Sequence, residues 1–162
     1  MKNNNKGITM LEVMIIAVII GITATLAMPQ FEQGMEKLKL KNAGRDIISS
    51  LRLARSDAVL QRSQFGVYFD LNSNRYVLFK DKTNPGNFTY DAGSDSDMVT
   101  GTLPHNVDFG SISFPNFVVI FKPDGSASNS GTIGLYSSAG AYGSFTVDVL
   151  SSTGRVKLIS GS

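Results

Sequence analysis

Ile8 through Met28 form a 21-residue run with one charge, Glu12, otherwise interrupted only by Thr9, Gly21, Thr23 and Thr25. As a helix this run spans about 30 Å, the hydrocarbon thickness of a bilayer. Residues 1–7, MKNNNKG, are polar and basic with no acid. A secretory signal peptide has the same order of parts, and Thr25-Leu-Ala27 has the small residues of a cleavage site. Its apolar region, however, is about 7–15 residues long, and an acid near its start is out of pattern. The run therefore reads as a membrane anchor.

Beyond Pro29 the pattern turns amphipathic. Leu40, Gly44, Ile47, Leu51, Ala54 and Ala58 recur at steps of three and four, which sets an apolar or small stripe on one helical face. Lys37, Lys39, Lys41, Arg45, Arg52 and Arg55 fall largely off that stripe, with Glu36, Asp46 and Asp57 between them, as on a solvated face. The spacing predicts one helix from Ile8 to Arg62, about 80 Å long if continuous. Pro29 removes the hydrogen bond to the Thr25 carbonyl and is expected to bend it, and Gly34 loosens the same stretch.

After Arg62 the period changes to two. Phe65–Asp70 and Arg75–Lys80 read as a hairpin around Leu71-Asn-Ser-Asn74. Residues 81–104 are polar and turn-rich, and Val107–Phe109 is a candidate short strand. Phe117–Phe121 is an apolar strand closed by Pro123-Asp-Gly125, and Thr132–Tyr136, Phe145–Leu150 and Arg155–Ile159 follow. The last two flank Ser151-Ser-Thr-Gly154 as a second hairpin. The class is α+β: one long N-terminal helix, membrane-spanning in its first half and amphipathic in its second, packed on a small antiparallel β domain expected to form a single sheet.

The formal net charge is +2, supplied by Lys2 and Lys6, so the chain from residue 8 onward sums to zero and does not suggest a general polyanion binder. With no cysteine and one histidine, His105, neither a disulfide framework, a thiolate metal site nor a histidine triad can be assembled. His105, flanked by Pro104 and Asn106, is expected as an ordinary exposed side chain. Asp91, Asp95 and Asp97 offer oxygen ligands at nearly alternate positions, as a calcium loop would. They lack the glycine placement and closing glutamate of an EF-hand, and a flexible solvated loop is the favoured reading. No phosphate loop, nucleophile elbow or carboxylate pair stands out, so neither an enzyme nor a cofactor or metal is expected.

Lys6-Gly7-Ile8-Thr9-Met10-Leu11-Glu12, opening the apolar run, resembles the prepilin signature of type IV pilin-like proteins. The usual first mature residue is Phe; Ile8 keeps its apolar character. The resemblance implies cleavage between Gly7 and Ile8 by a prepilin peptidase, N-methylation of Ile8, and pairing of Glu12 with the terminal amine of an adjacent subunit during assembly. It also implies a leader (1–7), a transmembrane and assembly helix (8–28) anchored in inner-membrane lipid, and a periplasmic pilin-like domain (29–162). Physically, a charged side chain in the bilayer costs about 2.5–3.5 kcal/mol on insertion scales, so Glu12 calls either for a partner or for an interfacial position. Leu51–Arg62, Phe121-Lys-Pro-Asp-Gly125, Gly131-Thr-Ile-Gly-Leu135 and Gly154-Arg-Val-Lys157 resemble the pseudopilin H and FimT-like minor pilin branch. That branch implies a minor structural subunit of a type II secretion pseudopilus or type IV pilus, which initiates or caps the filament together with other pilin subunits. Gly154-Arg155-Val156-Lys157 also resembles an element by which some FimT-like minor pilins bind DNA during uptake. Lys157 in place of a second Arg loses the bidentate fork, so Arg155 and Lys157 are candidate, disfavoured DNA contacts.

Overall fold

A computed structural model of the chain describes residues 8–140 and 143–160. The chain divides into two compact units, Met1–Met35 and Glu36–Ser162. Helix α1 runs from Met10 to Gln61, close to the predicted Ile8–Arg62, and continues through Pro29 and Gly34.

In the first unit, the described side chains of α1 are exposed without exception. The polar interruptions are satisfied locally. The Thr23 hydroxyl donates to the carbonyls of Ile19 (2.9 Å) and Ile20 (3.0 Å), and that of Thr25 to Gly21 (2.8 Å). Threonines bonded in this way leave no free hydroxyl facing an apolar surrounding, which suits lipid.

In the second unit, α1 buries Leu40, Ala43, Gly44, Ile47, Ile48, Leu51, Ala54 and Ala58, the predicted stripe widened by its flanking positions. Eight strands follow: β1 (Phe65–Asp70), β2 (Arg75–Lys80), β3 (Ser96–Thr102), β4 (Val107–Ile112), β5 (Val118–Phe121), β6 (Gly131–Ser137), β7 (Ser144–Leu150) and β8 (Arg155–Ser160). They form two antiparallel four-stranded sheets, ordered β3-β2-β1-β5 and β4-β6-β7-β8, rather than the single sheet expected. The alternation reports which face is buried but not which sheet a strand joins. Strand β3 lies inside the stretch read as turns; it is a sheet edge with mostly exposed residues and a register shift opposite Leu78/Phe79, so no period-two signal survives. Residues 115–117 form one helical turn ahead of β5, with Asn116 and Phe117 at positive φ.

One core joins the α1 stripe to Phe65, Val67 and Phe69 of β1, Val119 and Phe121 of β5, Ile133 and Leu135 of β6, and Val147 and Val149 of β7. Phe69 and Phe109 meet edge to face at 5.6 Å and tie β1 to β4 across the two sheets. Asn74, at φ 48, pins the same junction: its side-chain amide donates to the Asp108 carboxylate and its Oδ1 accepts from the Phe109 N–H (3.3 Å). A second, smaller cluster lies on the opposite face of the first sheet. There Phe79, Val118 and Ile120 are covered by Tyr68 and by Phe88 and Tyr90 of the β2–β3 loop.

Because every residue of the main core lies at or beyond Leu40, residues 36–162 alone are expected to be soluble, monomeric and folded. Gel filtration and circular dichroism of that fragment check this. An aggregate, or a spectrum lacking β structure, would contradict the packing described.

Candidate assembly site and the basic groove

Helix α1 starts with a capping box in its sequence, Thr9-Met10-Leu11-Glu12. The Thr9 hydroxyl accepts from the Glu12 N–H at 3.3 Å, and the Thr9 carbonyl accepts from the N–H groups of Glu12 (3.1 Å) and Val13 (3.3 Å). Glu12 stands in the first turn, where the helix dipole favours an anion. Thr9, part of the signature noted above, thus also serves as the N-cap, a role marked in the chain by a threonine three residues before a glutamate. Ile8 (73% exposed), Met10 (82%) and Leu11 (69%) surround Glu12 with uncovered apolar surface. Gly7 lies outside the described residues. Among those described, α1 is the one helix with a stretch long and apolar enough to cross a membrane.

Arg155 and Lys157 are exposed on β8, while Val156 is buried and Leu158 half-buried, as alternation requires. The cross-strand neighbour of Lys157 is Asp148 on β7. What sequence did not suggest is that α1 supplies further cations to the same place. A groove between α1 and β8 is lined by Arg45, Arg52, Val156 and Lys157, and continues past Arg55 to Arg155. The helical residues recur at steps of seven and three, so a helical-face projection could have grouped them; their meeting with β8 is tertiary. Arg55 is partly committed: its Nε donates to the Gly125 carbonyl (2.9 Å), so it ties the 122–126 turn to α1.

His105 is exposed, as expected. The 91–97 segment departs from the solvated-loop reading. Asp95 is buried; its Oδ1 accepts from the N–H groups of Lys82 (3.0 Å) and Thr83 (3.3 Å), and its Oδ2 from that of Asp91 (2.9 Å). Asp97 is exposed and accepts from the Tyr90 hydroxyl at 2.9 Å. Among the described residues no three His, Cys, Asp or Glu side chains converge as a metal cluster would require.

The family described as "Type II transport protein GspH" matches residues 43–153, which is more than half of the chain. The chain belongs to this family. A second match, "Prokaryotic N-terminal methylation motif", covers residues 2–28. Together they make the protein a member of the type II transport GspH family that carries a prokaryotic N-terminal methylation motif. No individual curated protein matches it. The fold resembles that of the minor pseudopilin EpsH from the type 2 secretion system of Vibrio cholerae, with a TM-score of 0.60 at 14% identity over 75% of this chain and 97% of that one. It also resembles the type IV minor pilin FimU of Pseudomonas aeruginosa, with a TM-score of 0.60 at 16% identity over 76% and 90%. The solution structure of Escherichia coli GspH gives a TM-score of 0.55 at 10% identity, covering 77% and 90%. The long helix packed on a small antiparallel β domain is thus the pilin fold.

Proposed function

We propose that this GspH-family protein is a minor pseudopilin, held in the inner membrane by residues 8–28 with residues 29–162 on the periplasmic side, and that it initiates or caps a type II secretion pseudopilus rather than acting as an enzyme. The observation that carries the reading is the juncture at Ile8. A helix capped by Thr9 begins two residues on, at Met10, with one acid in its first turn, apolar residues exposed around it, and the methylation motif over the same segment. In this reading a prepilin peptidase cuts between Gly7 and Ile8, the new amine is methylated and stays cationic, and Glu12 pairs with the amine of a neighbouring pilin subunit. Protein extracted from membranes is expected to begin at a methylated Ile8, which intact mass and N-terminal peptide analysis would reveal. A start at Met1, or at Met28 after ordinary signal cleavage, would sink it.

The second reading, a minor pilin that captures DNA, draws on the groove lined by Arg45, Arg52, Arg155 and Lys157. Four phosphate contacts correspond to a salt slope of roughly 2.8–3.6, at about 0.7 per contact for single strands and 0.9 for duplex. With Asp148 opposite Lys157, we expect attachment at low salt that is lost at physiological salt. We also expect Arg155→Ala with Lys157→Ala to leave secretion or piliation largely unchanged. Fluorescence titration at two salt concentrations, alongside the secretion assay, decides. Binding that persists at physiological salt and disappears with the double substitution would make DNA capture the primary role.

A further inference from the structure

The β2–β3 loop is rooted in three oxygen-bearing side chains. The ladder pairs Phe65 with Lys80 and Lys80 with Ser96. One residue further out, Gln64, Asp81 and Asp95 therefore stand in a row across three neighbouring chain segments, at strand spacings of about 4.8 Å. Laterally paired residues share a face, and this is the face of Phe79, which the loop covers with Phe88 and Tyr90. The Asp81 N–H donates to the Gln64 carbonyl at 3.0 Å, which continues the ladder to this row.

The row is unbalanced. Asp81 is only 4% exposed, yet neither of its carboxylate oxygens makes a well-formed hydrogen bond, since the nearby Thr83 N–H donates to Asp95 Oδ1 at 3.3 Å and gives Asp81 only a weak contact; the Gln64 Oε1 is likewise buried without a partner. The neighbouring lysines are directed elsewhere: Lys80 bonds Gln61 Oε1 at 3.0 Å and overlies the Phe65 ring, Lys122 overlies the Phe88 ring, and Lys82 is exposed. A buried carboxylate without a partner costs several kcal/mol, and here a second carboxylate stands beside it. Burial first, then Asp95 and Asp91, push the Asp81 carboxyl up to about 6. Three oxygens without a well-formed hydrogen bond, next to a carboxylate already fixed by backbone N–H groups, make a hard, anionic donor set, which suits Ca²⁺ better than a soft or nitrogen-seeking metal.

We propose that Gln64, Asp81 and Asp95 bind a calcium ion that locks the two roots of the 82–94 loop together beneath Phe88 and Tyr90. Two carboxylates and one amide oxygen leave the remaining positions to water, and place the affinity in the range of extracellular modules, about 10⁻⁴–10⁻³ M.

The test uses the full chain in mild detergent, stripped with a chelator. Millimolar Ca²⁺ is expected to raise its unfolding temperature by several degrees. Tb³⁺ is expected to show luminescence sensitised through Tyr90, whose hydroxyl bonds Asp97 on the same face, and Ca²⁺ should displace it. Asp81→Asn is isosteric and removes the buried charge. It should match or exceed the metal-free stability of the parent while its calcium response and Tb³⁺ signal fall at least tenfold. Gln64→Ala, which removes a neutral donor, should weaken binding several-fold. A parent chain indifferent to millimolar Ca²⁺, or a calcium shift of full size in Asp81→Asn, overturns the assignment. So does stabilisation by acidification through pH 6 without any response to calcium, since Asp81 would then simply hold a proton instead.

Discussion

Gly154→Val is expected to cost the globular unit about 3–5 kcal/mol, enough to lower its unfolding temperature on the order of 10 °C or more. Gly154 sits at φ 61 in the β7–β8 turn, where a β-branched residue is strained before it touches anything. A Cβ there would also collide with the Gly125 carbonyl oxygen and approach Arg55 Nε to 2.9 Å. Those two groups are bonded to each other, so the side chain would pry open the contact that fastens two turns to α1. Gly86→Ala has nothing within 4 Å of the added carbon and serves as the silent control. Thermal unfolding of both variants is the measurement; equal curves would mean the turn is not packed as described. The glycine of Gly154-Arg-Val-Lys157 therefore has a structural reason to be there, independent of any ligand.

Glu12→Ala is expected to leave processing and membrane insertion intact while co-assembly with other pilin subunits falls about 100-fold or more. Taking an acid out of an apolar segment makes insertion easier, by up to about 3 kcal/mol if it sits deep. If Glu12 meets a neighbour's ammonium within the filament, removing one partner of such a pair costs about 3–5 kcal/mol, or roughly two to three and a half decades in association. Cross-linking to partner subunits and the secretion or piliation assay would both register it. Unchanged assembly would show Glu12 to be merely interfacial. Glu12→Gln is the informative companion: it keeps a hydrogen-bond acceptor and loses the charge, so an intermediate loss separates ion pairing from hydrogen bonding.

The N-terminal segment was legible almost whole, since a capped apolar helix depends on neighbours three and four residues away. Strands β1, β7 and β8 were legible because each lays one face on the main core, which leaves an alternating record in Phe65-Gly-Val-Tyr-Phe and Arg155-Val-Lys-Leu, and β2 because it is a short apolar run, Tyr76-Val-Leu-Phe79, buried on both faces. Strand β3 left none. Its Met98, Val99 and Thr100 are all exposed, and Gly101 is flattened against the Tyr76 ring. The basic groove needs Arg52 and Arg155 together, about a hundred residues apart in the chain, and no local pattern reports that. Asp81 opens the polar, turn-rich stretch 81–104. That it is buried beside Asp95 depends on the ladder register, and hence on a strand that the pattern did not reveal.

The order of the strands has a consequence for how the protein comes into being. After β3 the chain crosses to begin the second sheet with β4, returns to lay β5 against β1, and only then goes back for β6, β7 and β8. The segment from Val107 to Phe121 is thus a stitch through both sheets. A nascent chain cannot finish the first sheet before it has committed residues to the second, and closing β5 on β1 spans some fifty residues of loop entropy. Neither sheet is an independent folding unit. Damage to one, such as a β5 that fails to seat under its Phe114-Pro-Asn-Phe117 turn, also leaves the other without the strand that leads into it.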